Sequence, residues 1–389
     1  KIEAYKNLKK ILNDRKEKTS SIIDLWTSLL FLGGRYQSGL EFLEKRRKKI
    51  PIIDYYCWKG IYNYFLKNFH VSVKAFEKIE SLSRKNFYIK YFIAEIYFQL
   101  LEISKAEAKY RAILAEPTLR GQGLYGIACC MAKKQLYTEA LGFLNWALKI
   151  VDNESKVKIL NQKGLCLLEL GKNKDSMKCF EEALRICPQD YSVMTNLALV
   201  LSKSGQYDRA VVLYEKILNK FPYDLTAINN MALCKAALED YTQALEYCDR
   251  GLKIDAMNKE LLINKGYCLY KLKNYKKALE CLCEAEKNAP DDKVLLNNKA
   301  LCYMALEKYD EALKIFNNIL QKYQENDILI NKAVCFIKLN QFNEALECFD
   351  KIQDKNNKKA DIYALKGICY ENLGENEKAI EYYNKSLIA

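Results

Sequence analysis

Recurrence at one fixed interval constrains this chain more than any other feature of its sequence. The segments "MKCFEEALRICP", "VVLYEKILNKFP" and "LECLCEAEKNAP" close at Pro188, Pro222 and Pro290, which are 34 and twice 34 residues apart. Followed in both directions, that period marks units starting near Ser20, Ile53, Phe87, Gly121, Val157, Tyr191, Leu225, Lys259, Lys293, Asn326 and Ala360, eleven in all with the last incomplete. A unit of this size holds one pair of helices, too little to bury its own apolar stripe. Neighbouring units must therefore stack and close a continuous core between them.

Each unit repeats the same internal signals. The eighth position is small (Gly60, Ala94, Ala128, Gly164, Ala198, Ala232, Gly266, Ala300, Ala333, Gly367), as a first helix needs where a neighbour approaches closely. An aromatic at the seventeenth position, Tyr137, Tyr207, Tyr241, Tyr275 and Tyr309 among them, is followed three residues later by Ala140, Ala210, Ala244, Ala278 or Ala312. That pair opens a second helix. All five prolines, Pro51, Pro117, Pro188, Pro222 and Pro290, fall at the ends of second helices, where a missing N–H and a fixed φ stop a helix at little cost.

Composition then narrows the function. No stretch approaches the roughly eighteen consecutive apolar residues that a membrane span needs. A single histidine, His70, removes the usual general base, the usual imidazole metal ligand and the Ser/His/Asp arrangement together. No enzymatic activity, cofactor or metal is therefore expected. The 15 cysteines are scattered without paired CxxC spacing, which fits a reducing compartment better than a secreted disulfide framework. The chain starts at Lys1 and stops at Ala389 inside a helical pattern, so a portion of something longer is expected.

The small, Tyr, Ala and Pro positions resemble those of the tetratricopeptide repeat family, and the resemblance covers residues 20 to 389. The unit starting at Tyr191 fits almost position for position, whereas those starting at Ser20 and Phe87 depart at several. The resemblance implies an all-α, right-handed solenoid superhelix of about eleven helix-turn-helix repeats with first helices lining the inner wall. Residues 1 to 19 carry Ile2, Tyr5, Leu8, Ile11 and Leu12 at helical spacing, out of phase with the repeat, and read as an N-terminal capping helix. Residues 20–156 then hold repeats 1–4 and residues 157–389 repeats 5–11.

The sixth position of the first helix should face that wall. It reads Asn196, Asn230, Asn264, Asn298 and Asn331 in five consecutive units. A primary amide both donates and accepts, so it can bond the main chain of an extended peptide whatever the side chains. The column is similar to the asparagine ladder of the O-GlcNAc transferase and kinesin light chain superhelices. The plain alternative is that these amides are solvated and idle. At the ninth position Leu165, Leu199, Leu233, Tyr267, Leu301, Val334 and Ile368 replace the lysine and asparagine clamp of the chaperone-binding subgroup, so binding of an Hsp90-type tail is not expected.

Earlier units differ. Leu25, Trp58 and Phe92 stand at the sixth position and Phe31, Tyr64 and Phe98 at the twelfth, giving an apolar and aromatic arc suited to burying a helix. A register one residue away would instead make these rings ordinary inter-repeat core. The unit starting at Gly121 has two spare residues, around "VDNESK", and two binding arcs are expected to meet near residue 155. "GQGLYG", Gly121 to Gly126, matches a dinucleotide fingerprint only on paper, since a helix rather than a strand precedes it. Cysteines at the tenth position, Cys130, Cys166, Cys234, Cys268, Cys302, Cys335 and Cys369, are read as small packing residues.

Net charge is +13, and residues 1 to 60 hold fourteen Lys/Arg against seven Asp/Glu. The run Lys45, Arg46, Arg47, Lys48, Lys49 ends a second helix, where cations favour the helix dipole. The rival reading is a patch for an acidic polymer such as a tubulin tail. Without interleaved aromatics, no specific nucleic-acid binding is expected. The leading expectation is a non-enzymatic scaffold or adaptor that holds an extended segment, a partner helix or both in its groove. Two alternatives stay open: the substrate-recruiting arm of a larger enzyme, glycosyltransferase-like, and a structural subunit of a large ciliary, microtubule-associated or ubiquitin-ligase assembly. A cytoplasmic setting is expected, with cytoskeletal and ciliary locations among the candidates.

Overall fold

Most of the described first helices start on a side-chain cap and end before a left-handed residue, and both signals keep the period of the sequence. The side chains of Asn86, Asp190, Asp224, Asn258 and Asp292 accept from the backbone N–H three residues on, satisfying a donor that the first turn leaves open. At the other end Gly34, Lys67, Leu101, Gln135, Gly171, Gly205, Glu239, Lys273, Glu307, Asn340 and Gly374 have φ between 59° and 77°. The next N–H then reaches back to a carbonyl five residues earlier, as in Glu102 to Tyr97 at 2.9 Å and Asn274 to Leu269 at 2.8 Å. This closure turns the chain into the second helix.

The computed structural model describes residues 21–82, 86–323, 325–352 and 359–388, with side chains from residue 25 on. In chain order the helices are α1 (Ser21–Leu32), α2 (Tyr36–Lys45), α3 (Ile52–Phe65), α4 (Phe69–Leu82), α5 (Phe87–Gln99), α6 (Ile103–Ala112), α7 (Arg120–Lys133), α8 (Tyr137–Leu148), α9 (Asn153–Glu169), α10 (Asn173–Ile186) and α11 (Tyr191–Lys203). They continue with α12 (Tyr207–Lys220), α13 (Leu225–Ala237), α14 (Tyr241–Leu252), α15 (Lys259–Lys271), α16 (Tyr275–Glu286), α17 (Lys293–Ala305), α18 (Tyr309–Lys322), α19 (Asn326–Lys338), α20 (Phe342–Asp350), α21 (Lys359–Asn372) and α22 (Asn376–Ile388). No strand occurs among the described residues. The all-helical hairpin solenoid expected from the repeat is what forms. The expected capping helix lies outside the described residues.

The chain divides into two compact units, Lys1–Val200 and Leu201–Ala389. In the first, α3 to α10 pack pairwise as hairpins and each second helix meets the next first helix; in the second, α13 to α22 do the same. First helices also touch their counterparts one hairpin on, α5 with α7 and α7 with α9 in the first unit, α13 with α15 and α15 with α17 in the second. The expected change at residue 156 concerned groove chemistry, and these units divide elsewhere. The spare residues there extend α9 to 17 residues with an added N-terminal turn, capped by Asp152 on the Ser155 N–H at 2.8 Å.

Small eighth positions let the two helices of a hairpin close. A Cβ built on Gly60 falls 2.7 Å from the Phe76 ring, and one on Gly164 falls 2.5 Å from the Phe180 ring. Where the twentieth position is serine rather than alanine, its hydroxyl donates across the same contact, Ser72 to the Gly60 carbonyl and Ser176 to the Gly164 carbonyl, both at 2.7 Å. The core of the first unit is ring-rich: Phe76 stacks on Phe92 with centroids 5.3 Å apart, and Trp58 stacks on Tyr62 at 5.6 Å. The Tyr62 hydroxyl donates to the Thr27 carbonyl at 2.7 Å, so even this deep ring has its polar atom satisfied.

Two stability outcomes follow. Gly164→Ala should cost about 1–3 kcal/mol, because the fully buried Phe180 ring has nowhere to retreat, while Gly142→Ala, with open space around it, should gain about 0.5–1 kcal/mol from helix propensity; equal denaturation midpoints would refute the packing role. Leu101 is exposed yet held at φ 60°, so Leu101→Gly should raise stability by about 0.5–1 kcal/mol in urea unfolding, and Leu101→Ala should not.

Candidate functional site

In the second unit the first helices α13, α15, α17 and α19 repeat one solvent-facing surface, at the second, sixth, ninth and thirteenth positions, which share a helix face. Asn230, Asn264, Asn298 and Asn331 sit in its middle, each half-buried. Next to them Leu233 is exposed, and Tyr267, Leu301 and Val334 are half-buried. The contacts of α13 with α15 and α15 with α17 set these faces side by side. In the first unit Asn196, on α11, is half-buried as well.

Two of the five amides are tied sideways. Asn196 Nδ2 donates to Asn161 Oδ1 and Asn264 Nδ2 donates to Asn229 Oδ1, both at 2.8 Å. An amide held this way keeps its own oxygen and one N–H for other partners. The ladder is thus partly a lateral clasp between first helices, a role the sixth position alone does not reveal. The partners, Asn161 and Asn229, occupy the fifth position. Asn230 instead lies beside the hydroxyl of Tyr214. Burial pushes that hydroxyl up, and Ser202 and Asn230 temper the rise, although neither meets it in strict hydrogen-bond geometry.

A second feature missed by sequence reading is a lysine at the seventh position that reaches the preceding second helix. Lys265 meets Asp249 at 2.6 Å, Lys299 meets Glu286 at 2.7 Å and Lys366 meets Asp350 at 2.6 Å. The hydrogen bond from Asp249 holds the Lys265 ammonium above its usual range. For Lys299 burial works against the charge and Glu286 more than offsets it. Lys235, Lys271, Lys332 and Lys338 have no carboxylate partner among the described residues. Lys271 and Lys332 lie over the Tyr267 and Phe336 rings, at 5.7 and 5.6 Å.

The early aromatic arc is corrected in part. Phe31, Trp58 and Phe92 are 0%, 2% and 4% exposed and belong to the inter-helix core, so they offer no face to a ligand. In these helices nearly every position is apolar or aromatic, so packing rather than pattern decides which rings turn inward. Leu25 is exposed, and Tyr64 and Phe98 are half-buried. Burial pushes the Tyr64 hydroxyl up, and the Glu95 carboxylate adds to the shift. In the basic run Lys45 ends α2, and Arg47–Lys49 follow as a short 3-10 turn. All five side chains are exposed. Arg46 lies 4.2 Å over Phe42 and Arg47 lies 5.2 Å over Tyr55, rings that the linear run does not show. The glycines of "GQGLYG" sit inside α7, with a Cβ on Gly126 only 2.4 Å from the Tyr110 ring, and serve helix packing.

Comparison with known proteins agrees with the repeat. Family models described as Tetratricopeptide repeat match residues 157–190, 179–212, 303–369 and 360–387. The model described as Anaphase-promoting complex, cyclosome, subunit 3 matches residues 203–285 and 244–319. A TPR repeat-containing protein from Methanocaldococcus jannaschii is 30% identical over 184 residues, which is 44% of this chain and 32% of that protein. The chain therefore spans about a third of the length of that curated relative. A tetratricopeptide repeat protein from Parabacteroides merdae has a similar structure, with a TM-score of 0.50 at 20% identity over 59% of this chain and 92% of that one. The APC/C hetero-tetramer Cut9-Hcn1 matches with a TM-score of 0.48 at 12% identity over 94% of this chain and 86% of that one.

The tenth-position thiols are all buried, at no more than 1% exposure. Burial pushes Cys130, Cys302 and Cys335 up to about 12 and Cys268 and Cys369 up to about 11, and it raises Cys166 and Cys234 as well. No group of three or more possible metal ligands gathers among the described residues. Cys283 is the exposed exception. Because the thiolate is the reactive form, an aromatic disulfide reagent at pH 8 should modify Cys283 quickly and the column only after unfolding. Loss of the fast phase in Cys283→Ser is expected, and column thiols reacting at its rate in the folded chain would contradict their packing role.

Proposed function

Because the chain belongs to the tetratricopeptide repeat family, we propose that it is a non-catalytic protein-interaction scaffold whose second unit holds an extended segment of a partner against its first helices. One observation carries this reading: the first-helix face of α13 to α19 repeats a half-buried amide beside an apolar side chain in four consecutive hairpins. Spaced on the order of 10 Å apart by helix packing, the amides match about three residues of extended chain. Amide groups serve the ligand's main chain and Leu233, Tyr267, Leu301 and Val334 serve its apolar side chains.

A second reading, a structural subunit of a large assembly, is supported by the match of residues 203–319 to the anaphase-promoting complex subunit model. In that case partners would meet the second helices. Cross-linking mass spectrometry on the native complex separates the two. Links from the partner should concentrate on Lys235, Lys271, Lys332 and Lys338 of the first helices rather than on Lys216, Lys277 and Lys314 of the second. The triple variant Asn230→Ala, Asn264→Ala, Asn298→Ala should weaken the captured partner about tenfold or more, from several hydrogen bonds lost together, with its unfolding midpoint little changed. Unchanged affinity in that variant would end the groove reading.

A further inference from the structure

A carboxylate stands among aromatic rings on the first helices of the first unit. Along the ninth position, from Ile61 to Ile368, only Glu95 is charged. Its helix, α5, carries Tyr91, Glu95 and Phe98 at spacings of four and three residues, which share one face. All three are half-buried, and so are Tyr64 of α3 and Tyr125 and Cys129 of α7. Each therefore keeps part of its surface in solvent.

A bond and a close packing contact draw these helices together at that carboxylate. The Tyr110 hydroxyl donates to Glu95 Oε1 at 2.5 Å, and the Tyr110 ring lies on Gly126 of α7, 2.4 Å from a Cβ built there. Tyr110 is thus a strut from Glu95 to the turn of α7 that carries Tyr125. The helices α5 and α7 also touch directly. The Glu95 charge reaches its surroundings: it adds to the rise that burial causes in the Tyr64 and Tyr125 hydroxyls and in the Cys129 thiol, which goes up to about 12. At the fifth, ninth and twelfth positions of α3, α5 and α7, Glu95 is the one carboxylate or cation.

Such surroundings select a cation. Aromatic rings attract an ammonium through their quadrupoles, more strongly where water is partly excluded, and a carboxylate adds a charge-assisted hydrogen bond. The Tyr110 bond uses one of the roughly four lone-pair sites of a carboxylate. With Oε1 so engaged, the planar fork of an arginine meets only part of its match, whereas a lysine ammonium is a point charge whose stem packs along apolar surface. Satisfying the Tyr110 hydroxyl alone would not require a charge, since a glutamine oxygen accepts the same bond.

We propose that Glu95, together with Tyr64, Tyr91, Phe98 and Tyr125, docks a lysine side chain of a partner protein. The ammonium donates to the Glu95 carboxylate among the rings, and Tyr110 is a positioning residue that holds the carboxylate. This site lies in the first unit and does not depend on the amide column of the second.

The test pans phage-displayed peptides, random apart from one central lysine, against the full chain and measures synthetic copies of the enriched ones by calorimetry. Replacing that lysine by norleucine should cost about tenfold or more in affinity, and replacing it by arginine or trimethyllysine about threefold or more. Glu95→Gln, which keeps an acceptor for Tyr110, should weaken the lysine peptide about tenfold or more and leave the norleucine peptide unchanged, so that the two changes share one loss. Phe98→Leu, a second variant should Glu95→Gln not fold, should weaken the lysine peptide about threefold. Asn230→Ala should change nothing, and the urea midpoint of each variant is recorded. Peptides that lose affinity in Asn230→Ala but not in Glu95→Gln would overturn the lysine site and leave the groove of the second unit. Additive losses, norleucine or trimethyllysine peptides that bind as tightly as lysine ones, or no enrichment at all would overturn the site as well.

Discussion

Close approach of two helices over a small residue is the contact on which the whole arrangement depends. At Gly164 and Gly60 no side chain intervenes, so the Phe180 and Phe76 rings lie directly on the first-helix backbone. Elsewhere the same place holds alanine, as at Ala128, Ala300 and Ala333, each fully buried. Without this approach the second helix could not lie flat on the first, and its other side would not meet the next hairpin. The core between repeats and the alignment of the first-helix faces are consequences of this one steric allowance.

That dependence explains what could be read from the sequence. The eighth-position small residues, the prolines and the tyrosine-alanine pairs announced helical hairpins, because each is a steric requirement that recurs at a fixed interval. The turns were less legible. Only four of the eleven left-handed turn positions are glycine, and Lys67, Glu239 and Lys273 take the same φ without one. Their conformation is imposed by the closing hydrogen bond from the next residue and by both helices, so no local signal marks them.

The candidate site was legible in outline and not in its bonding. Periodicity puts Asn230, Asn264, Asn298 and Asn331 at one position of successive first helices, and each of the four is half-buried. It could not show that Asn264 is held by Asn229, since that bond joins positions five and six of different repeats. The aromatic arc failed for a related reason. In α3 and α5 nearly every position is apolar or aromatic, so the pattern does not say which ring turns inward, and Trp58 and Phe92 took the core places. Where composition is uniform around a helix, tertiary packing alone assigns the faces.

Repetition therefore supplies both the scaffold and its variation. The same clasp that fastens first helices together at Asn229 and Asn264 does not form at Asn297, so neighbouring repeats of nearly equal sequence differ in their lateral bonds. A cryo-EM map of the chain bound to its native partner tests the groove reading most directly. Density for an extended segment running over α17 and α19, within hydrogen-bonding distance of Asn298 and Asn331, is the expected result. A partner seated only on the second helices, with the first-helix face bare, would contradict it.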